Sequence, residues 1–210
     1  MKNNIWTDFY EEEPVKIKEL HQDKEFVEEI VERSSRHVKD GSFLDVGAGN
    51  NSYSNYFKGI EYTGLDIYNF KRENFICSDI NKRLPFKDNK FQTVFGILIL
   101  EYIKNKEKVL KEIHRVLRKD GYLIIVAPNS KSIPIILSYK IIPFFAPKID
   151  VPYYPFDIKK FIKMAEEYNF KLVEKSYIPF TYLILPKIFR KLFRIIGNLW
   201  NEEVFLVFNT

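Results

Sequence analysis

The stretch from Phe43 to Phe57, "FLDVGAGNNSYSNYF", decides how this chain folds. An apolar run ends in an acid, Asp45; two glycines one residue apart follow, and then a polar segment opens. Gly47 and Gly49 tolerate positive φ and carry no side chain, so a ligand can touch the backbone of such a turn. The helix predicted to open over 52–57 would offer unpaired N–H groups and a positive dipole end, suited to a carboxylate or a phosphate. Taken alone, the turn admits a dinucleotide, a phosphate, another cofactor, or no ligand at all.

Outward from this stretch the pattern alternates. Upstream, Phe26, Val27, Ile30, Val31 and Val38 fall at helical spacing, and Lys39-Asp40-Gly41 stops them. Downstream, "EYTGLDIY" and "FICSDI" read as strands, each ending in an acid, and "FQTVFGILIL" as a fourth strand. A helix is predicted over 101–118 from the stripe Val109, Leu110, Ile113, Val116 and Leu117, and the turn Lys119-Asp120-Gly121 opens a fifth strand, "GYLIIVAPN". Short apolar strands alternating with helices predict an α/β fold, a doubly wound, mostly parallel sheet covered on both faces.

In such sheets ligands bind at the carboxyl ends of the strands, where strand order reverses. The polar residues at those ends are Asp45 with the glycine turn, then Asp66, Asp79 and Gly96. Asp66 lies about 20 residues after the turn, where an acid can accept hydrogen bonds from both hydroxyls of a ribose. Asp79 can accept from an exocyclic amine such as adenine presents. The set describes an adenosine with something attached that lies along the glycine turn. A dinucleotide site expects G-x-G-x-x-G, and this turn has Asn51-Ser52 where glycine would follow, which weakens a pyrophosphate reading.

Bulk properties set wider limits. At 210 residues the chain fits one domain, and 46% hydrophobic with 29% charged residues is ordinary for a globular protein. The net charge of +5 is a weak hint of acidic partners. The lone cysteine, Cys77, excludes an internal disulfide framework and suggests a reducing compartment. The acid-rich start "MKNNIWTDFYEEEPVK" has no apolar core of signal-peptide length, so the expected location is cytoplasmic. The longest apolar stretches are interrupted by lysine, arginine or proline before the roughly 20 residues a spanning helix needs.

The phrases "LDVGAGN", "GLDI", "SDI" and "LPFKDNKFQTVFGILILEYIKNKEKVLKEIHRVLRKDGYLIIVAPN" resemble the ordered motifs of class I S-adenosylmethionine-dependent methyltransferases, in particular the type 11, or UbiE-like, branch. The resemblance runs from about Phe43 to Asn129. It implies a Rossmann-like sheet of seven strands, the last antiparallel, in a single domain: a helical cap over 1–40, a cofactor-binding half over 41–129, and acceptor or lid insertions at 130–155 and 181–200. It also implies S-adenosylmethionine as cofactor. Gly47, Ala48 and Gly49 would line its methionine end with Asp45 beneath them. Asp66 would hold the ribose, with Ile67 beside the adenine, and Asp79 would accept from the adenine amine, with Ile80 packing on the ring. Gly96 and Ile97 would sit near the sulfonium. Three positions depart from the family pattern: Asn51 replaces a third glycine, Gln92 an acid, and Tyr102 the histidine of "L-E-H". The last two bear on the acceptor side.

Methyl transfer from a sulfonium needs alignment and exclusion of water more than a dedicated base. His21, His37 and His114 give no catalytic candidate, and none is named. Tyr102, Trp6 and Tyr10 are the acceptor-side candidates, the last two, with Phe9, as N-terminal aromatics able to fold over the cofactor. The segment "PYYPFDIKKFIKMAEEYNFKLVEKSYI" predicts a helix from near Asp157 and a sixth strand, and "EEVFLVFN" a seventh. Within 186–199, Ile188, Leu192, Ile195, Ile196 and Leu199 fall on one helical face and Lys187, Arg190, Lys191 and Arg194 on the other. Such a helix can be a lid over the pocket or a peripheral membrane contact. The expected acceptor is therefore a small molecule, apolar or lipid-linked. A nucleic-acid acceptor is not supported, because "GILI" stands where an N/D-P-P-Y/F tetrad would be. The alternative is a cofactor-binding regulatory module of the same fold. Nothing in the sequence addresses the oligomeric state.

Overall fold

The computed structural model describes residues 24–38, 41–50, 53–130, 152, 154, 156–178 and 203–210. Trp6, Phe9, Tyr10, His21, Asn51 and the helix over 186–199 lie outside the described residues, as does nearly all of the 130–155 insertion.

The elements run α1 (Lys24–Ser35), β1 (Ser42–Val46), β2 (Glu61–Asp66), β3 (Phe75–Cys77), β4 (Phe91–Ile97), a 3-10 turn (Leu100–Tyr102), α2 (Lys106–Val116), β5 (Leu117–Pro128), α3 (Ile158–Glu167), β6 (Lys171–Ile178) and β7 (Glu203–Asn209). They form one seven-stranded sheet in the order β3-β2-β1-β4-β5-β7-β6. Pairing is parallel from β3 through β5, and β7 runs antiparallel to both β5 and β6. The chain leaves β1 toward one edge and returns at β4 to build toward the other. The crevice where the order reverses therefore lies between the ends of β1 and β4, directly over the glycine turn.

Strict alternation within the strands sorts the core onto two faces. Leu44 and Val46 of β1, Leu123, Ile125 and Ala127 of β5, and Val204, Leu206 and Phe208 of β7 pack on the face covered by Val109, Leu110 and Ile113 of α2 and Phe161 and Ala165 of α3. Phe43, Phe95, Ile124, Val126, Phe205 and Val207 pack on the opposite face under Phe26, Val27 and Ile30 of α1. With both faces covered, central strands read as continuous apolar runs, and all five residues of β1 are buried.

Several boundaries differ from the expectation; β5, for one, starts at Leu117 and runs through Lys119-Asp120-Gly121, the predicted turn before it. Residues 53–60 form successive turns and not a helix; Tyr53 and Phe57 are drawn into the core, where Phe57 stacks on Phe43 at 4.9 Å and meets Phe95 edge-on at 5.5 Å. The helix predicted from residue 101 starts at Lys106, because Asn105 caps it by accepting the Lys108 amide at 3.0 Å. Residues 100–102 wind instead into the 3-10 turn.

Candidate cofactor and acceptor site

The glycine turn is held by β2. The amides of Gly47 and Ala48 both donate to the Leu65 carbonyl, at 2.8 and 3.1 Å, and the Gly49 amide donates to Oδ2 of Asp66 at 3.0 Å. Gly47 has φ +74 and Gly49 φ +52, the left-handed region the turn requires. All three amides are thus spent on the protein, whereas the carbonyls of Gly47, Ala48 and Gly49 have no partner among the described residues. Such a turn presents acceptors, which suit an ammonium group and not a phosphate or a carboxylate. The amides of residues 47–49 are therefore not available to an anion.

A β-carbon on Gly47 would meet Ile99 at 2.8 Å, so this glycine makes room for a neighbour in the protein. A β-carbon on Gly49 would meet nothing within 4 Å among the described residues, which leaves open space where a ligand can lie. Gly96 is different again. It sits inside β4, and a β-carbon there would meet Ile125 at 2.8 Å, so packing between β4 and β5 accounts for it. Ile97 is buried beside it.

Asp45 lies beneath the turn at the end of β1, 2% exposed, and accepts a hydrogen bond from the Tyr62 hydroxyl. Burial pushes its carboxyl up to about 7, against the Tyr62 hydrogen bond, while the nearby Asp66 adds to the rise. Asp66 is buried at the end of β2, where desolvation raises its carboxyl and backbone amides oppose the rise. Its Oδ1 accepts the Tyr68 amide at 3.2 Å. A carboxylate has about four acceptor positions, and with the Gly49, Tyr68 and Ile67 amides turned to it, part of that capacity remains for a ribose. Ile67 is half-buried next to it, and its carbonyl accepts from the Cys77 thiol at 3.4 Å.

Asp79 stands just past β3, half-buried, with Oδ1 taken by the backbone and side-chain nitrogens of Asn81. Ile80 follows, buried against the core. Asp45, the glycine turn and Asp66 are joined by direct hydrogen bonds or strand pairing, and Asp79 follows Ser78, whose amide donates to the Asp66 carbonyl at 2.8 Å. A cleft of about 1110 Å3 takes in Asn50 of the turn and runs along 54–62 and 70–74, but none of Asp45, Gly47, Gly49, Asp66 and Asp79 lines it.

Tyr102 is half-buried in the 3-10 turn after β4. Gln92, by contrast, lies at the opposite end of β4, where its Nε2 donates to the Asp120 carbonyl at 3.0 Å. Its departure from the family pattern therefore does not touch the acceptor side. His37 pairs with Glu174 at 2.9 Å, and His114 packs edge-on against Phe170, so neither takes part in the site. One residue escaped sequence reasoning: Glu101, 3% exposed, whose carboxyl is pushed up to about 8 by burial. Its signal was an acid embedded in the apolar run "ILILEYI".

Residues 44–125 match the family model described as a methyltransferase domain. Uncharacterized protein MJ0638 of Methanocaldococcus jannaschii is 41% identical over 101 residues, 45% of this chain and 44% of that protein. The malonyl-[acyl-carrier protein] O-methyltransferase of Pseudescherichia vulneris is 28% identical over 107 residues, 46% of this chain and 42% of that protein. The match thus spans less than half the length of these curated relatives. Among solved structures, the 1,6-didemethyltoxoflavin-N1-methyltransferase of Burkholderia thailandensis, with S-adenosylhomocysteine bound, superposes with a TM-score of 0.70 at 13% identity, covering 98% of this chain and 87% of that one. At that identity the likeness establishes the fold.

Proposed function

We propose, from the match of residues 44–125 to a methyltransferase domain, that this chain transfers a methyl group from S-adenosylmethionine to a small acceptor, apolar or lipid-linked. The observation that carries this reading is the junction of the glycine turn with Asp66, where Gly49 is both bonded to the acid and open on its outer side. Such a junction fits a ligand that offers an ammonium to the turn carbonyls and vicinal hydroxyls to Asp66. S-adenosylmethionine offers both, and when bound it supplies the reactive methyl carbon. The chain's own residues orient and shield: Ile99 closes over Gly47, and Asp45 places a buried acid beneath the cationic part of the ligand. No general base is required of the described residues if the acceptor atom is already deprotonated.

The apolar or lipid-linked acceptor rests on the aromatic and proline-rich 130–155 insertion and on the basic amphipathic 186–199 segment. A relative named for O-methylation of a malonyl group on a carrier protein is consistent with it. We place the protein in the cytoplasm, working at or near a membrane surface. No helix among the described residues is long and apolar enough to cross a membrane. Incubation with methyl-labelled S-adenosylmethionine and a cell extract, followed by solvent partition, tests the reading. Label in the lipid phase is expected; label confined to the aqueous phase would overturn the acceptor class. Cofactor binding without any transfer would favour the regulatory module, which Tyr102 in place of histidine keeps in view.

A further inference from the structure

Glu101 occupies the turn that leaves β4 at the crevice. Two residues before it, Ile99 lies against the positions a β-carbon would take on Gly47 and Gly96, so the turn borders the glycine turn directly. The chain after β5 reaches the same place, since the Tyr154 amide donates to the Glu101 carbonyl at 2.6 Å. The Glu101 side chain is buried there, and its Oε2 has no hydrogen-bond partner among the described residues. An unpaired buried carboxyl oxygen is costly, and a functional role is one of the reasons a native fold keeps such a group.

We propose that Glu101 is an acceptor-recognition residue, its free carboxyl oxygen donating a hydrogen bond to an oxygen atom of the methyl acceptor. The proposal rests on the cofactor site described above and names the acceptor class: an apolar body carrying an acid or carbonyl oxygen. Burial pushes the Glu101 carboxyl up to about 8, against its own backbone amide and the charge of Lys106, so near neutral pH it can carry the proton that it donates. The surroundings agree. A cleft of about 540 Å3 is lined by Lys104, Lys106 and Lys160 with Tyr154, Phe156 and Phe161; Glu101 is not among its lining residues and adjoins it through Tyr154, whose amide donates to the Glu101 carbonyl. The two acids on the same cleft are engaged, Glu107 by the Tyr168 hydroxyl at 2.5 Å and Asp157 by the Lys160 amide at 3.1 Å. Lysines around an aromatic wall attract an amphipathic anion and repel an amine. Because a carboxylate acceptor arrives already deprotonated, the proposal also accounts for a crevice to which the described residues bring no histidine.

Octanoate and octylamine serve as probes, titrated by calorimetry into full-length protein saturated with S-adenosylhomocysteine. Octanoate is expected to bind and octylamine not to bind. Glu101→Leu should weaken octanoate about tenfold or more, while Glu101→Gln, which keeps a donor, should stay within about threefold of wild type. Both variants should bind S-adenosylhomocysteine as wild type does, and Glu101→Leu should unfold at the same or a higher temperature, since it removes an unpaired polar group. Preference for octylamine, no binding of octanoate, equal loss in both variants, no loss in Glu101→Leu, or a lowered unfolding temperature in Glu101→Leu would each overturn the proposal. Failure of S-adenosylhomocysteine to bind wild type would instead overturn the cofactor reading on which it rests.

Discussion

The Gly49 amide donates to the Asp66 carboxylate across 3.0 Å, so the turn after β1 and the end of β2 form one unit. Asp66 then has two tasks, holding the turn and receiving the ribose. Asp66→Ala should weaken S-adenosylhomocysteine by about 1.5–3 kcal/mol, the worth of hydrogen bonds to a charged group. Calorimetry checks this, and unchanged affinity would contradict the ribose assignment.

The two glycines of the turn should respond differently to a methyl group. Gly47→Ala adds left-handed strain and a clash with Ile99, together about 2–4 kcal/mol of stability. Combining it with Ile99→Ala should recover only the clash. Gly49→Ala should cost the fold only about 1 kcal/mol, because its β-carbon meets nothing in the described protein, yet should reduce cofactor affinity at least tenfold. Urea denaturation and calorimetry on the same samples separate the two effects.

Stability should fall as pH rises through the range set by Asp45. Its carboxyl moves from an ordinary 3.8 to about 7 on folding, so between these values the folded chain holds a proton the unfolded chain has lost. The stabilisation is complete below about 4, declines with rising pH, and is gone above about 7. Asp45→Asn should flatten that part of the profile, measured as denaturation free energy at pH 5 and pH 7.5; an unchanged slope would contradict the assignment.

Arg115 staples α2 to the loop before β4. Its guanidinium donates to the Leu84 and Phe86 carbonyls at 3.1 and 2.9 Å, to Asp88 at 2.7 Å and to Glu112 at 2.7 Å, and Glu112 in turn accepts the Leu84 amide at 2.9 Å. Arg115→Met should cost about 2–4 kcal/mol in urea. Arg115→Lys should recover little, since an ammonium cannot reach carbonyls and carboxylates in one planar fork.

The centre of the sheet was legible because its strands are buried on both faces: runs such as "SFLDV" and "YLIIVA" state their identity without help from distant residues. The acids at the strand ends were legible for a related reason, since each interrupts such a run where the chain meets solvent or ligand. Hydrogen-bond partners across the sheet were not. Nothing in "GAG" says that its amides turn toward Leu65 and Asp66, and that choice decides between a phosphate and an ammonium. The helix predicted over 52–57 failed because Tyr53 and Phe57 gain more by stacking around Phe43 and Phe95 than by continuing a helical period. Gln92 looked like an acceptor-side change only while its end of β4 was unknown. Glu101 looked like part of an apolar run, because an unpaired oxygen is a property of the surroundings and not of the residue.

Titration of S-adenosylhomocysteine into the full-length chain, beside Asp66→Ala, tests the central claim most directly. The account predicts saturable binding to wild type that weakens by at least about tenfold in the variant. No binding to the wild-type chain, or equal binding to both, would contradict it.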